Sequence, residues 1–95
     1  MKYRVVFAPE ARGDYDALPS RTRAEVRDAV NRHLSHQPTE VSRSRIKRLR
    51  GTWKPEYRLR VGEVRVFYDV REDAVEVLGI VEKARAADWL KRSLR

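Results

Sequence analysis

Cysteine is absent from the 95-residue chain, which excludes a disulfide framework, thiolate catalysis and a zinc site built on sulfur. The absence suits a reducing compartment, and the cytoplasm is the expected location. Long apolar runs are missing too. The longest, Val77 to Val81, covers five residues, against the roughly 20 that a membrane-spanning helix needs. The opening segment MKYRVVFAPE lacks the apolar core of a secretory signal and is expected to be retained as the first strand. Histidine is scarce, and neither His33 nor His36 belongs to a cluster of carboxylates, so both are read as structural or solvent-exposed, and no metal or cofactor is expected. Gly-rich phosphate loops and Ser-His-Asp spacing are also missing. With no repeat and no linker, residues 1–95 are expected to form a single domain.

What the chain does have is charge. Lys and Arg number 22 against 14 Asp and Glu, a surplus of +8, and the surplus is concentrated. Residues 43–65 hold nine bases (Arg43, Arg45, Lys47, Arg48, Arg50, Lys54, Arg58, Arg60, Arg65) and two acids (Glu56, Glu63), a local net of +7, whereas the remainder is nearly neutral. A neutral scaffold with one basic segment is the footprint of a polyanion partner, nucleic acid ahead of membrane surface or acidic protein. The alternative is a solvated face charged for solubility.

Residues 2–8 alternate, with Tyr3, Val5 and Phe7 on one side, and read as a strand. Pro9 and Glu10 suit the first turn of a short helix that carries Ala11, Tyr15 and Leu18 at helical spacing before Pro19. Ser20 or Thr22 can cap a second helix, Thr22 with Glu25 matching a capping box. Its apolar stripe is Val26, Ala29, Val30, His33 and Leu34. After the polar loop of residues 37–44, Arg45 to Arg50 has only Ile46 and Leu49 as apolar anchors and reads as a short strand.

The sharpest local signal is YRLRVGEVRVFYD, Tyr57 to Asp69, where two alternating runs flank Gly62-Glu63, a pair suited to a type II′ hairpin. That turn sets Val61 opposite Val64, Arg60 opposite Arg65, Leu59 opposite Val66, Arg58 opposite Phe67 and Tyr57 opposite Tyr68. One face then belongs to the core, and the other carries Arg58, Arg60, Arg65 and Phe67. Like charges directly opposite across strands are unfavourable, so Arg60 against Arg65 calls for an anion between them or for neutralisation by Asp69, Glu56 or Glu76. Val75, Val77, Leu78, Ile80 and Val81 read as an inner strand, and Ala84 to Leu94 as a helix with Ala87, Leu90 and Leu94 on its apolar side. The expected fold class is α+β: a small, mostly antiparallel sheet with an N-terminal helical hairpin on one face and a short C-terminal helix.

YRVVFAPEAR, IKRLRG, YRLRVGEVRVFYDV and the strand running into VEKARAADWL together resemble the RelE/ParE superfamily of type II toxin–antitoxin toxins, over nearly the whole chain. The resemblance implies a RelE-like fold, a cognate antitoxin bound in a hetero-oligomer and, for the RelE-like branch, metal-independent cleavage of messenger RNA on the ribosome. ParE-like members instead inhibit DNA gyrase. A third possibility is a weakened toxin that binds antitoxin or RNA with little activity.

By motif position, the resemblance implies catalytic or phosphate-binding roles for Arg58, Arg60 and Arg65 on the hairpin, and for Lys83 and Arg85 after the last strand. Physical chemistry agrees on the cations. Attack by a ribose 2′-OH needs charge stabilisation on the phosphate, and guanidinium forks match phosphate oxygens while making poor bases. Arg45, Lys47, Arg48, Arg50 and Lys54 are the expected RNA-binding residues. Trp89 stands where the family's ribonucleases often carry a group that moves protons. Indole cannot, so Trp89 is expected either to stack on a base or to pack on the sheet. Lys83 is then the leading proton-transfer candidate, with Asp88 and Glu82 behind it.

Overall fold

The computed structural model describes residues 2–51 and 54–93. Its strands are β1 (Arg4–Phe7), β2 (Ile46–Arg48), β3 (Tyr57–Val61), β4 (Val64–Arg71) and β5 (Ala74–Glu82), joined in one sheet of order β1-β5-β4-β3-β2. Only β1 against β5 is parallel; every other pairing is antiparallel. The helices are α1 (Pro9–Asp16), α2 (Ser20–Ala29), which runs on as a π-helical turn over Val30–Leu34, and α3 (Ala86–Ser93), entered through a 3-10 turn at Lys83–Arg85. This is the expected α+β class.

The hairpin has the register read from the sequence, from Tyr57 opposite Tyr68 to Val61 opposite Val64. Gly62 supplies a φ of +58°, and no residue other than glycine has a positive φ among the described residues, which fits a type II′ turn and excludes type I′. Alternation then sends Leu59, Val66 and Tyr68 into a core shared with Val75, Val77 and Ile80 of β5 and with Ala11, Val26, Val30 and Leu34 of the helices. Tyr57 and Tyr68 stack with centroids 5.5 Å apart, and the Tyr68 hydroxyl donates to the Pro38 carbonyl at 2.6 Å. Burial, and to a lesser degree Tyr57, pushes the Tyr68 phenol far above its usual pKa.

Two expectations need correction, and one contact is new. α2 starts at Ser20 with Pro19 as its N-cap residue and no side-chain cap, so the Thr22–Glu25 capping box does not form. Pro19 is extended, and its carbonyl takes the Arg23 N–H, which sets the helix start ahead of Thr22. In α3 the buried residue is Trp89, while Ala87 is exposed. Leu94, expected on the same apolar side, lies outside the described residues. Finally, β5 extends past the end of β1, and Asp14 of α1 fills the gap by accepting the Ile80 N–H at 3.0 Å. That side chain attracted no notice in the sequence.

Candidate nucleic-acid interface

The helical hairpin covers one face of the sheet, so the side chains that alternate away from it form the opposite face. Lys47 of β2 pairs with Arg58 of β3, Arg58 with Phe67 of β4, and Arg60 with Arg65, which gathers four cations on neighbouring strands. The trio expected from the sequence is therefore brought together. Loss of solvent first, and then the charges of Arg65 and Arg60, hold the Arg58 guanidinium below its usual pKa. Its Nε is buried without a hydrogen-bond partner. A buried donor left open costs about 1–3 kcal/mol, and an oxyanion at this spot would remove that cost.

The nearby carboxylates do not quench the cluster. Asp69, Glu56 and Glu76 were the acids able to do so, and each has another partner. Glu56 pairs with Arg48 at 3.8 Å, Asp69 with Lys54 at 3.7 Å, and Glu76 with Arg71 at 3.1 Å and Lys54 at 4.0 Å. Asp69 also accepts the Glu56 N–H at 2.8 Å, and Glu56 accepts the Val70 N–H at 3.4 Å. These bonds fasten the chain entering β3 to the C-terminal end of β4 and hold the acids at the far end of the ribbon from the turn. Among the described residues, Arg58, Arg60 and Arg65 have no ion-pair partner.

The expected site residues are not equivalent. Arg60 is exposed and Arg58 half-buried, but Arg65 is only 5% exposed and donates through one nitrogen to the carbonyls of Gly62 at 2.9 Å and Val64 at 3.1 Å. Arg65 thus braces the hairpin turn from beneath. Lys83 and Arg85 are exposed, and the Lys83 N–H bonds to the Glu63 carbonyl at 2.8 Å, which sets this segment beside the same turn.

Among the residues expected to hold RNA, Lys47 and Arg50 are exposed. Arg48 is committed to the fold: besides Glu56, it donates to the Tyr57 hydroxyl at 3.3 Å and lies 5.2 Å from the Tyr57 ring centroid. The Tyr57 contact, with the phenol's field and Glu56 adding to it, raises the Arg48 pKa. Lys54 is likewise held by Asp69 and Glu76. Arg45 turns away from the basic face and lies beside His33, Glu25 and Asp28 at the rim of α2.

Of the two expectations for Trp89, the structure shows packing on the sheet and not an open stacking surface. Its ring is 5% exposed and lies on Phe67, with centroids 4.8 Å apart and planes within 6°. Its Nε1 donates to Glu10 at 2.8 Å. Gly79 makes this possible, because a Cβ there would run into the indole Cζ2 and Cε2. The sequence signal was available in the apolar side Ala86, Trp89, Leu90 of α3 and in a glycine inside an otherwise apolar strand, which marks a close approach. Glu10, read only as a dipole-favoured residue, is the polar partner that the sequence did not suggest.

A small α+β toxin fold with an arginine-bearing hairpin is the class that these features define. The family model described as "ParE toxin of type II toxin-antitoxin system, parDE" matches residues 5–87, and the chain belongs to this family of type II toxins. Solved structures agree. The chain is similar to one in the RelBE2 toxin–antitoxin complex from Mycobacterium tuberculosis (28% identity, 86% of this chain, 99% of that one, TM-score 0.72). It is also similar to one in the archaeal RelE–RelB complex from Pyrococcus horikoshii (25% identity, 90% and 99%, TM-score 0.65). The YoeB dimer from Staphylococcus aureus shares the fold at 16% identity, 85% and 97% coverage and a TM-score of 0.64. No curated protein matches the chain. Among the described residues no helix is long and apolar enough to cross a membrane.

Proposed function

We propose that this toxin is a ribosome-dependent, metal-independent endoribonuclease that inhibits translation by cutting messenger RNA in the cytoplasm. The observation that carries the reading is the cationic hairpin face, left without carboxylate partners while Glu56, Asp69 and Glu76 serve Arg48, Lys54 and Arg71. Arg58 and Arg60 grip the scissile phosphate and take up the charge that builds on it, and Arg65 holds the turn and adds its field. Lys47 and Arg50 hold flanking RNA. Lys83, hung beside the turn, is the proton carrier, and Arg85 assists. Primer extension on messenger RNA from cells expressing the chain tests this. Cuts at codon-related positions are expected, and growth arrest without any cuts overturns the reading.

A cognate antitoxin completes the proposal, since several chains of this fold were solved as toxin–antitoxin complexes. An acidic or amphipathic antitoxin segment laid over the cationic face would mask it, giving a hetero-oligomer. Two observations favour a second reading, inhibition of DNA gyrase without chemistry: the family match is to ParE toxins, and Trp89 occupies the position where a proton-moving side chain is otherwise expected. Supercoiling by purified gyrase in the presence of the chain separates the two.

A further inference from the structure

Trp89 sits in a slot that has the chemistry of a nucleobase site. Phe67 forms an aromatic floor parallel to the indole within 6°, Gly79 keeps the space beside it clear of any side chain, and the Glu10 carboxylate accepts the ring N–H at 2.8 Å. At its margin stands Arg58, the cross-strand partner of Phe67, with a buried and unpartnered Nε. Indole and purine are both flat fused bicycles. Guanine offers N1–H and N2–H donors on one edge, which a carboxylate accepts as a pair, whereas adenine presents an acceptor at N1. Trp89 is the one buried residue of the eight-residue α3 among the described residues, with Ala86 and Leu90 half-buried beside it.

We propose that the Phe67–Gly79–Glu10 slot is a guanine-binding site, which Trp89 fills when RNA is absent and yields to a splayed guanine base. The base stacks on Phe67 and donates to Glu10, and its phosphate reaches Arg58. The inference rests on the reading of RNA as substrate, but its test uses mononucleotides and needs no cleavage.

The intact chain is titrated with guanosine 5′-monophosphate and adenosine 5′-monophosphate while the Trp89 indole N–H is followed by NMR, assigned with a Trp53→Phe variant. The guanine nucleotide shifts that resonance at a concentration about tenfold below the adenine nucleotide. In Trp89→Ala the competing occupant is gone, and the guanine nucleotide binds about tenfold more tightly than to the unaltered chain. Glu10→Gln, which exchanges half of the acceptor for a donor, erases the preference for guanine. An indole resonance unmoved at millimolar guanine nucleotide overturns the proposal, as does equal response to both nucleotides. Displacement of the indole by an antitoxin segment but by neither nucleotide overturns it too. If Trp89→Ala fails to fold, the intact-chain titration and Glu10→Gln decide. A chain that cuts RNA yet never releases Trp89 sinks this inference alone, and one that releases Trp89 to guanine yet cuts nothing sinks the nuclease reading alone.

Discussion

Arg60 and Arg65 face each other across the β3–β4 hairpin, and among the described residues no carboxylate pairs with either. They are nevertheless placed differently, since Arg60 is exposed while Arg65 is buried and bonded to two carbonyls. Substituting Arg60 by Ala removes one of two facing like charges, a gain of up to about 1 kcal/mol. The expected outcome is lost toxicity with an unchanged or slightly raised melting temperature. Arg65→Ala leaves two turn carbonyls without their donor and lowers stability by about 1–3 kcal/mol. Toxicity in cells and thermal melts of both variants check this, and a large fall in the melting temperature of Arg60→Ala refutes it.

How much of this was legible in the sequence depended on how far each contact reaches along the chain. The Arg60–Arg65 pairing follows from a two-residue turn and strict alternation, both local, and was readable in full. The allotment of Glu56, Asp69 and Glu76 to Arg48, Lys54 and Arg71 joins three strands, and local pattern left it open. The choice between the two readings of Trp89 stayed open for a similar reason: its burial depends on the vacancy at Gly79, 10 positions earlier in the chain, which exists as a vacancy only once β5 lies in the sheet. Thr22 lost its cap to Pro19, whose fixed φ started the helix earlier.

The division between Lys47 and Arg48 should appear in salt titrations. Lys47 is exposed on the face of Arg58, whereas Arg48 points into the Tyr57–Glu56 cluster. Each cation that contacts a single-stranded phosphate contributes about 0.7 to the slope of log affinity against log salt. Lys47→Ala is expected to reduce the slope by that amount and leave the fold untouched, while Arg48→Ala leaves the slope as it was and lowers the melting temperature. An equal reduction of the slope in both variants would assign both residues to RNA, and no reduction in Lys47→Ala would remove Lys47 from the interface.

Tyr68→Phe tests the tie between the sheet and the loop after α2. The hydroxyl is the donor to the Pro38 carbonyl at 2.6 Å, deep in the core, and the ring stacks on Tyr57. The substitution keeps the stack and orphans a carbonyl, so a loss of about 1–2 kcal/mol is expected. In urea unfolding this reads as a lower midpoint at unchanged slope. An unchanged midpoint means that water serves the carbonyl equally well.

His33 gives the fold a defined pH response. Partial burial, then the charges of Arg45 and Arg32, lower its pKa from the ordinary 6.5. Glu25 and Asp28, which face the same groove, do not reverse this direction. A group with a depressed folded-state pKa binds more protons when unfolded, so its contribution to stability is complete above pH 6.5 and is lost as pH falls through the lowered value. Substituting His33 by Gln removes the titrating group, and the fall in melting temperature between pH 7 and pH 5 is expected to become shallower than in the unaltered chain. Arg45→Ala takes away part of the cause and should produce a smaller flattening of the same sign. Identical pH profiles for all three chains would show that His33 titrates alike in the folded and unfolded states.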